Sequence, residues 1–232
     1  MAILEIGSRI QGKITASTEA ANLGFEKILP HAAGPLNIAD NPKDYVLSVI
    51  PIMYTDLPNR NGVGFPLREL TKWQVDYGCL AFQTWRGMPV HLEHAADEPK
   101  TALGIIVDMS LRPIKTHGNG KIWKVVALAA IDRTKRIGKE KDGVPFGERV
   151  ATGDNNTYSM GALVDGYTCS YCGQEVGRCT HIDPDQSRAP VTFYELNNQL
   201  VYRQVYGIKG VELSIVSDPA FITAISDVKM EY

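Results

Sequence analysis

The sequence predicts a β-rich α+β fold in a single domain spanning residues 1–232, with helices on its outside. Runs of β-branched and aromatic residues recur along the chain, and a single stretch carries apolar residues at clear helical spacing. No linker-like composition and no fixed-period repeat divides the 232 residues. A chain of this length buries roughly 70% of its unfolded surface, so its core needs no disulfide or metal staple.

In chain order, the first 45 or so residues read as mixed strand and loop, punctuated by Pro30, Gly34, Pro35 and Pro42. Tyr45–Tyr54 (YVLSVIPIMY) reads as a buried strand in which Pro51 marks a bulge or an end. Leu57–Gly64 is a turn-rich loop. Leu67–Trp85 places Leu67, Leu70, Trp73, Tyr77, Leu80, Ala81 and Trp85 at helical spacing and predicts an amphipathic helix that carries Cys79 as a small buried hydrophobe and stops at Gly87 and Pro89. Val90–Leu92, Ala102–Leu111 and Ile122–Ile131 are strands, the last two separated by Gly118-Asn119-Gly120. Arg133–Asp142 is charged and reads as a solvated loop or short helix. Asn156–Val164 and Val211–Val216 are further strands, and the segment Thr168–Tyr194 between them is polar and Cys-bearing, an inserted loop.

Composition excludes several classes. Twenty-four basic and 26 acidic residues give a net charge of −2, which argues against a nucleic-acid binder held by bulk charge. The longest apolar run, Val125–Ile131, is far short of the ~20 residues of a membrane span. Glu5 and Arg9 interrupt any secretory signal core, so the four cysteines are expected to be reduced thiols.

Three stretches carry candidate chemistry. In MPVHLEHAADEPKTALGIIVDM (Met88–Met109) a histidine stands at a strand end, where it can be aimed rigidly into a cleft, and its near-neutral pKa suits a general base. Alternation along the strand sets His91 and Glu93 on one face and Leu92 and His94 on the other, so the two histidines are expected to act apart. NTYSMGALV (Asn156–Val164) sets Ser159 in an apolar strand two residues before Gly161, whose missing side chain lets substrate or oxyanion donors approach. GVELSIVSDPA (Gly210–Ala220) embeds Glu212 between Val211 and Leu213, where a carboxylate needs a partner.

Jointly and in this order, the three motifs resemble the tailed-bacteriophage prohead (capsid maturation) proteases, distant relatives of the herpesvirus assembly proteases. The resemblance runs from about Met88 to Ala224. It implies a herpesvirus-protease-like, barrel-like β core flanked by helices, and a serine endopeptidase that needs no catalytic cofactor. Matched motif by motif, Ser159 falls at the nucleophile and His94 at the general base. Glu212 falls where the herpesvirus enzymes have a second histidine. A carboxylate there would fix the tautomer of His94 and stabilise its imidazolium, and Asp97 and Asp108 compete for the same role. The herpesvirus enzymes draw oxyanion donors from an arginine-bearing loop after the last strand; the matching place here reads SDPAFIT, so no oxyanion residue can be named. The substrates implied are phage scaffold and major capsid proteins in the assembling prohead, in the host cytoplasm, with self-association common in such families.

The proteases that this chain resembles favour glutamate immediately before the cut, with a small or aliphatic residue two positions earlier. Among the glutamates of this chain, loop accessibility favours self-cleavage after Glu140 first and after Glu19 second. Cys169, Cys172, Cys179 and His181 form C-x2-C-x6-C-x-H, a spacing that suits a structural zinc with no open coordination position; a redox pair or unrelated thiols are the alternatives. Two other functions compete with the protease: a catalytically silent scaffold or capsid-associated protein, and an interaction protein whose Cys–His loop is the working surface.

Overall fold

The computed structural model describes residues 14–95, 97–114, 122–137, 143–154, 157–182, 194–221 and 228–231, with backbone only for 14–23 and 228–231. In chain order its strands are β1 (Tyr45–Tyr54), β2 (Val63–Gly64), β3 (Trp73–Gln74), β4 (Cys79–Leu80), β5 (Pro89–Leu92), β6 (Gly104–Ile114), β7 (Ile122–Asp132), β8 (Tyr158–Leu163), β9 (Gly166–Cys169), β10 (Tyr194–Leu196), β11 (Gln199–Val201), β12 (Arg203–Tyr206), β13 (Lys209–Ile215) and β14 (Val228–Glu231).

The main sheet runs β14-β1-β7-β6-β5-β13-β8 and curls into a half-barrel. β5 and β13 are parallel and the other pairs antiparallel. The curl wraps one shared core: Val46 and Ile50 of β1, Ile106 and Met109 of β6, Val125 and Ile131 of β7, Leu213 and Ile215 of β13, and Tyr158 of β8 pack together. Tyr158, near one end of the sheet, faces Ser48 of β1, near the other; burial pushes its hydroxyl up to about 12, with Ser48 pulling the other way. In β1 the register shifts between Pro51 and Met53, so the predicted proline bulge is present.

The outer face of β1, β6 and β7 is covered as well, and this explains the unbroken apolar run of β1. Residues 14–36 form a helix, Ile14–Leu36, where strand and loop were expected. Phe25, Ile28, Leu29, Ala32, Ala33 and Leu36 recur at helical spacing and pack on Tyr45, Leu47, Ile105 and Val107, with Phe25 edge-on to Tyr45 at 4.9 Å. Pro30 and Pro35 lie inside this helix on its exposed side, so the prolines that suggested loop do not break it. Packing outweighs the lost backbone donors.

The predicted amphipathic helix Leu67–Trp85 is not formed. Only Leu67–Leu70 is α-helical; the β3–β4 hairpin and short 3-10 turns follow. The residues of the predicted apolar face are not buried together: Leu70, Ala81 and Trp85 are buried, whereas Trp73 and Tyr77 are exposed. Gly78, at φ 61°, turns the chain back. Cys79 therefore lies half-buried on a strand of the hairpin, its thiol pushed up by burial against the pull of Arg86.

The remaining strands fall close to expectation. β8 and β13 continue into β9 and β12, so Tyr158–Cys169 and Arg203–Ile215 form one long two-stranded ribbon. Asp165 N–H to Tyr206 O, at 2.9 Å, bridges the joint. The Cys–His segment closes the far end of this ribbon, and β10 and β11 meet there in a tight hairpin through Asn197 and Asn198, both at positive φ. The Gly118–Gly120 turn and Glu140 lie outside the described residues. Glu19 lies within the N-terminal helix, which offers a protease less than the extended segment expected there.

Candidate active site and metal centre

β13 lies between β5 and β8, and this order gathers the three site residues. Ser159 of β8 stands directly opposite Ser214 of β13, and Gly161 opposite Glu212. Directly paired residues project from the same face, so Ser159, Ser214 and Glu212 share one. His94 arrives from the other side, two residues beyond the end of β5. Its Nδ1 lies 2.7 Å from Glu212 Oε1, the partner that the buried carboxylate requires. The Glu212 side chain is 2% exposed and that of His94 49% exposed. The carboxylate thus sits inside the sheet and the imidazole at the surface. With Nδ1–H donated to Glu212, neutral His94 keeps Nε2 as its free basic nitrogen. Ser159 Oγ makes no hydrogen bond among the described residues.

The alternation that separated the histidines does not persist past Leu92. Glu93 and His94 adopt left-handed backbone, φ 47° and 60°, which turns His94 over β13. Such conformations cost non-glycine residues about 1–3 kcal/mol each and are held by their surroundings. Here Glu93 N–H donates to Ile215 O at 2.9 Å, and Ser217 N–H donates to Glu93 Oε1 at 2.9 Å. His91, in register with Ser214, consequently reaches the same neighbourhood from within the sheet. It is fully buried, its Nδ1 is 3.4 Å from Thr101 Oγ1, and its Nε2 has no partner among the described residues.

Burial depresses the His91 pKa below its ordinary value of 6.5, with the Glu212 charge acting in the opposite sense. The folded state therefore keeps His91 neutral while the unfolded chain binds a proton below about pH 6.5. Stability is full above that value and declines as pH falls through it toward the depressed folded pKa. His91→Asn should flatten this decline, measured as the denaturant midpoint between about pH 7.5 and about pH 5.5. Parallel profiles for the two proteins would refute it.

Neither competing aspartate bonds His94. Asp97 is exposed, and Asp108 stands on β6, separated from β13 by β5, its carboxyl pushed up by burial. Gly161 has a neighbour the sequence did not reveal. A Cβ there would stand 2.6 Å from Glu212 Oε1, so the glycine makes room for the carboxylate. Trp85, buried behind the ribbon, donates Nε1–H to Gly161 O at 2.9 Å. The SDPAFIT loop lacks an arginine of its own, but Arg60 from the β1–β2 loop bonds Asp218 and Pro219 O. The contact of Trp85 with Gly161 left no local sequence signal; that of Ser214 with Glu212 did, since E-x-S in a strand sets both side chains on one face.

At the far end of the ribbon the ligand atoms of Cys169, Cys172, Cys179 and His181 all lie within 4.8 Å of one another. This matches a tetrahedral site with metal–sulfur bonds of ~2.3 Å, whose edges are about 3.7 Å. His181 Nδ1 is buried with no hydrogen-bond partner among the described residues, a nitrogen left for a metal to take. Gly173 at φ 72° follows the second cysteine, and its N–H donates to Cys169 O at 2.9 Å, which forms the turn of the Cys-x2-Cys unit. Burial raises the Cys169 thiol; at Cys179 desolvation is outweighed by the N–H groups of His181 and Ile182 and by the neighbouring thiols, and its pKa falls. Ile182 and Val201 pack on Cys169 in a small separate core, too little apolar surface to order the segment alone. The cluster can hold a metal ion.

No helix among the described residues is long and apolar enough to cross a membrane. Compared with protein-family models, with curated proteins and with solved structures, the chain matches none.

Proposed function

We propose that this chain is a serine endopeptidase of the prohead-maturation kind, built on a herpesvirus-protease-like barrel, that cleaves scaffold and major capsid proteins inside the assembling head. The observation that carries the proposal is the 2.7 Å contact between His94 Nδ1 and the buried Glu212, with Ser159 on the next strand of the same face. The motif resemblance then supplies the substrate class and the setting, a prohead assembling in the host cytoplasm.

In this reading His94 Nε2 removes the Ser159 hydroxyl proton as Oγ attacks the scissile carbonyl. Glu212 stabilises the imidazolium so formed, and His94 returns the proton to the leaving amine. Water, deprotonated by the same nitrogen, then hydrolyses the acyl-enzyme. The chemistry needs no cofactor. Coexpression with the major capsid and scaffold proteins, wild type against Ser159→Ala, should yield new termini after glutamate in the wild type alone, read by mass spectrometry. A fluorophosphonate probe should label Ser159; absence of both results leaves the silent scaffold protein as the reading.

The metal is proposed to be a structural zinc that pins the ribbon's tip. Protein purified under reducing, metal-replete conditions should contain about one zinc per chain. Cys169→Ser should lose it and raise hydrogen exchange across residues 168–182, with activity falling only indirectly. A metal-free wild type would end this assignment. The gathered cluster also favours the interaction-protein reading, in which chelation abolishes function and Ser159→Ala does not.

A further inference from the structure

We propose that Ser214 is a positioning residue of this site, because its one hydroxyl clamps both the Glu212 carboxylate and the main chain of His94; the inference rests on the protease reading. Ser214 is fully buried on β13, two residues beyond Glu212 and on the same face. Its Oγ–H donates to Glu212 Oε2, the carboxylate oxygen that His94 does not use. The same Oγ accepts the His94 backbone N–H at 3.1 Å. Its donor and an acceptor position are therefore both committed, and this, more than burial, sets it apart from Ser159, which is 9% exposed with its hydroxyl unengaged among the described residues.

Two degrees of freedom are fixed at once. Held at Oε2 by Ser214 and at Oε1 by His94, the carboxylate cannot rotate away from the imidazole. Held at its backbone N–H, His94 cannot relax out of the left-handed turn that carries it over β13. Residues 214–217 supply the other anchors of that turn as well, through Ile215 O and Ser217 N–H, but of these residues only Ser214 also bonds the carboxylate. A neutral His94 must keep its proton on Nδ1 for Nε2 to act as base. Ser214 thus acts on the reaction through the tautomer and aim of His94 and touches no substrate itself.

The test uses full-length protein. Ser214→Ala should lower kcat on the order of 10–100-fold with KM within about twofold. In a Glu212→Gln background the same change should cost less than about threefold, because the group it positions has lost its charge. Nitrogen-15 shifts of the His94 imidazole should report a single Nδ1–H tautomer in wild type and a mixture in Ser214→Ala, whether or not a substrate is cleaved. Should Ser214→Ala fail to fold, Ser214→Cys keeps the volume with a weaker donor and should show intermediate losses. Unchanged imidazole shifts, or equal fold-losses in the two backgrounds, would overturn the clamp. A wild type that cleaves nothing yet loses its tautomer preference on Ser214→Ala would sink the protease reading and leave the clamp standing.

Discussion

On the proposed protease mechanism, Ser159→Ala is expected to abolish cleavage of head proteins, a loss on the order of 10⁵-fold or more by analogy with known serine triads, while leaving the fold intact. The side chain donates and accepts no hydrogen bond among the described residues, so its removal leaves no buried partner unsatisfied. His94→Ala should be equally severe for the chemistry, but it leaves Glu212 buried without its imidazole, and uncompensated buried charge destabilises. Thermal denaturation should therefore separate the two: Ser159→Ala near wild type, His94→Ala lower. Glu212→Gln keeps the shape yet removes the charge that stabilises the imidazolium, and should cost on the order of 10²–10⁴ in kcat. A fully active Ser159→Ala ends the serine mechanism. A fully active Glu212→Gln, with loss in Asp97→Asn or Asp108→Asn, moves the third role to that aspartate.

Much of this geometry was legible in the sequence, for reasons that differ by element. Tyr45–Tyr54, Ile122–Ile131 and the Ser159 strand were readable because long β-branched runs leave few other structures, and Glu212 declared its need of a partner by standing between Val211 and Leu213. The Cys–His cluster was readable from spacing alone, since side chains a few residues apart can converge with little help from the fold. What failed was local punctuation read without packing. Pro30 and Pro35 suggested a broken segment, but Phe25, Leu29 and Ala33 had a sheet to cover and the helix formed. Leu67–Trp85 had helical spacing, but its exposed Trp73 and Tyr77 show that the pattern did not correspond to one buried face. The left-handed turn at Glu93 and His94 was invisible because neither residue favours it; β13 imposes it through contacts more than 100 residues away in sequence. Gly161 was expected to clear the way for substrate; its nearest neighbour is the Glu212 carboxylate, and the two roles can be told apart by measurement.

On the proposed protease mechanism, Gly161→Ala should abolish activity through Glu212. The added Cβ would lie 2.6 Å from Glu212 Oε1, 2.9 Å from Cγ and 3.2 Å from Cδ, closer than unstrained contacts allow. Gly161 does not use the left-handed region, so alanine is sterically excluded by one neighbour and is otherwise acceptable to the backbone. The strand cannot slide to make room. Trp85 holds the Gly161 carbonyl at 2.9 Å, and the same indole packs so closely on Gly210 that a Cβ there would stand 2.5 Å from its ring. The carboxylate must therefore swing off the His94 imidazole. The expected result is a fall in kcat on the order of 10²-fold, approaching that of Glu212→Gln, for an overpacking cost of about 1–3 kcal/mol in stability. Combining the two substitutions should add little to either alone, because both remove the same function. If Gly161 instead gave substrate backbone its close approach, alanine would raise KM, spare kcat, and cost as much in the Glu212→Gln background as in the wild type. Steady-state kinetics of the four proteins decide between these: a Gly161→Ala enzyme with wild-type kcat would show that the glycine serves the substrate and that Glu212 has room to spare.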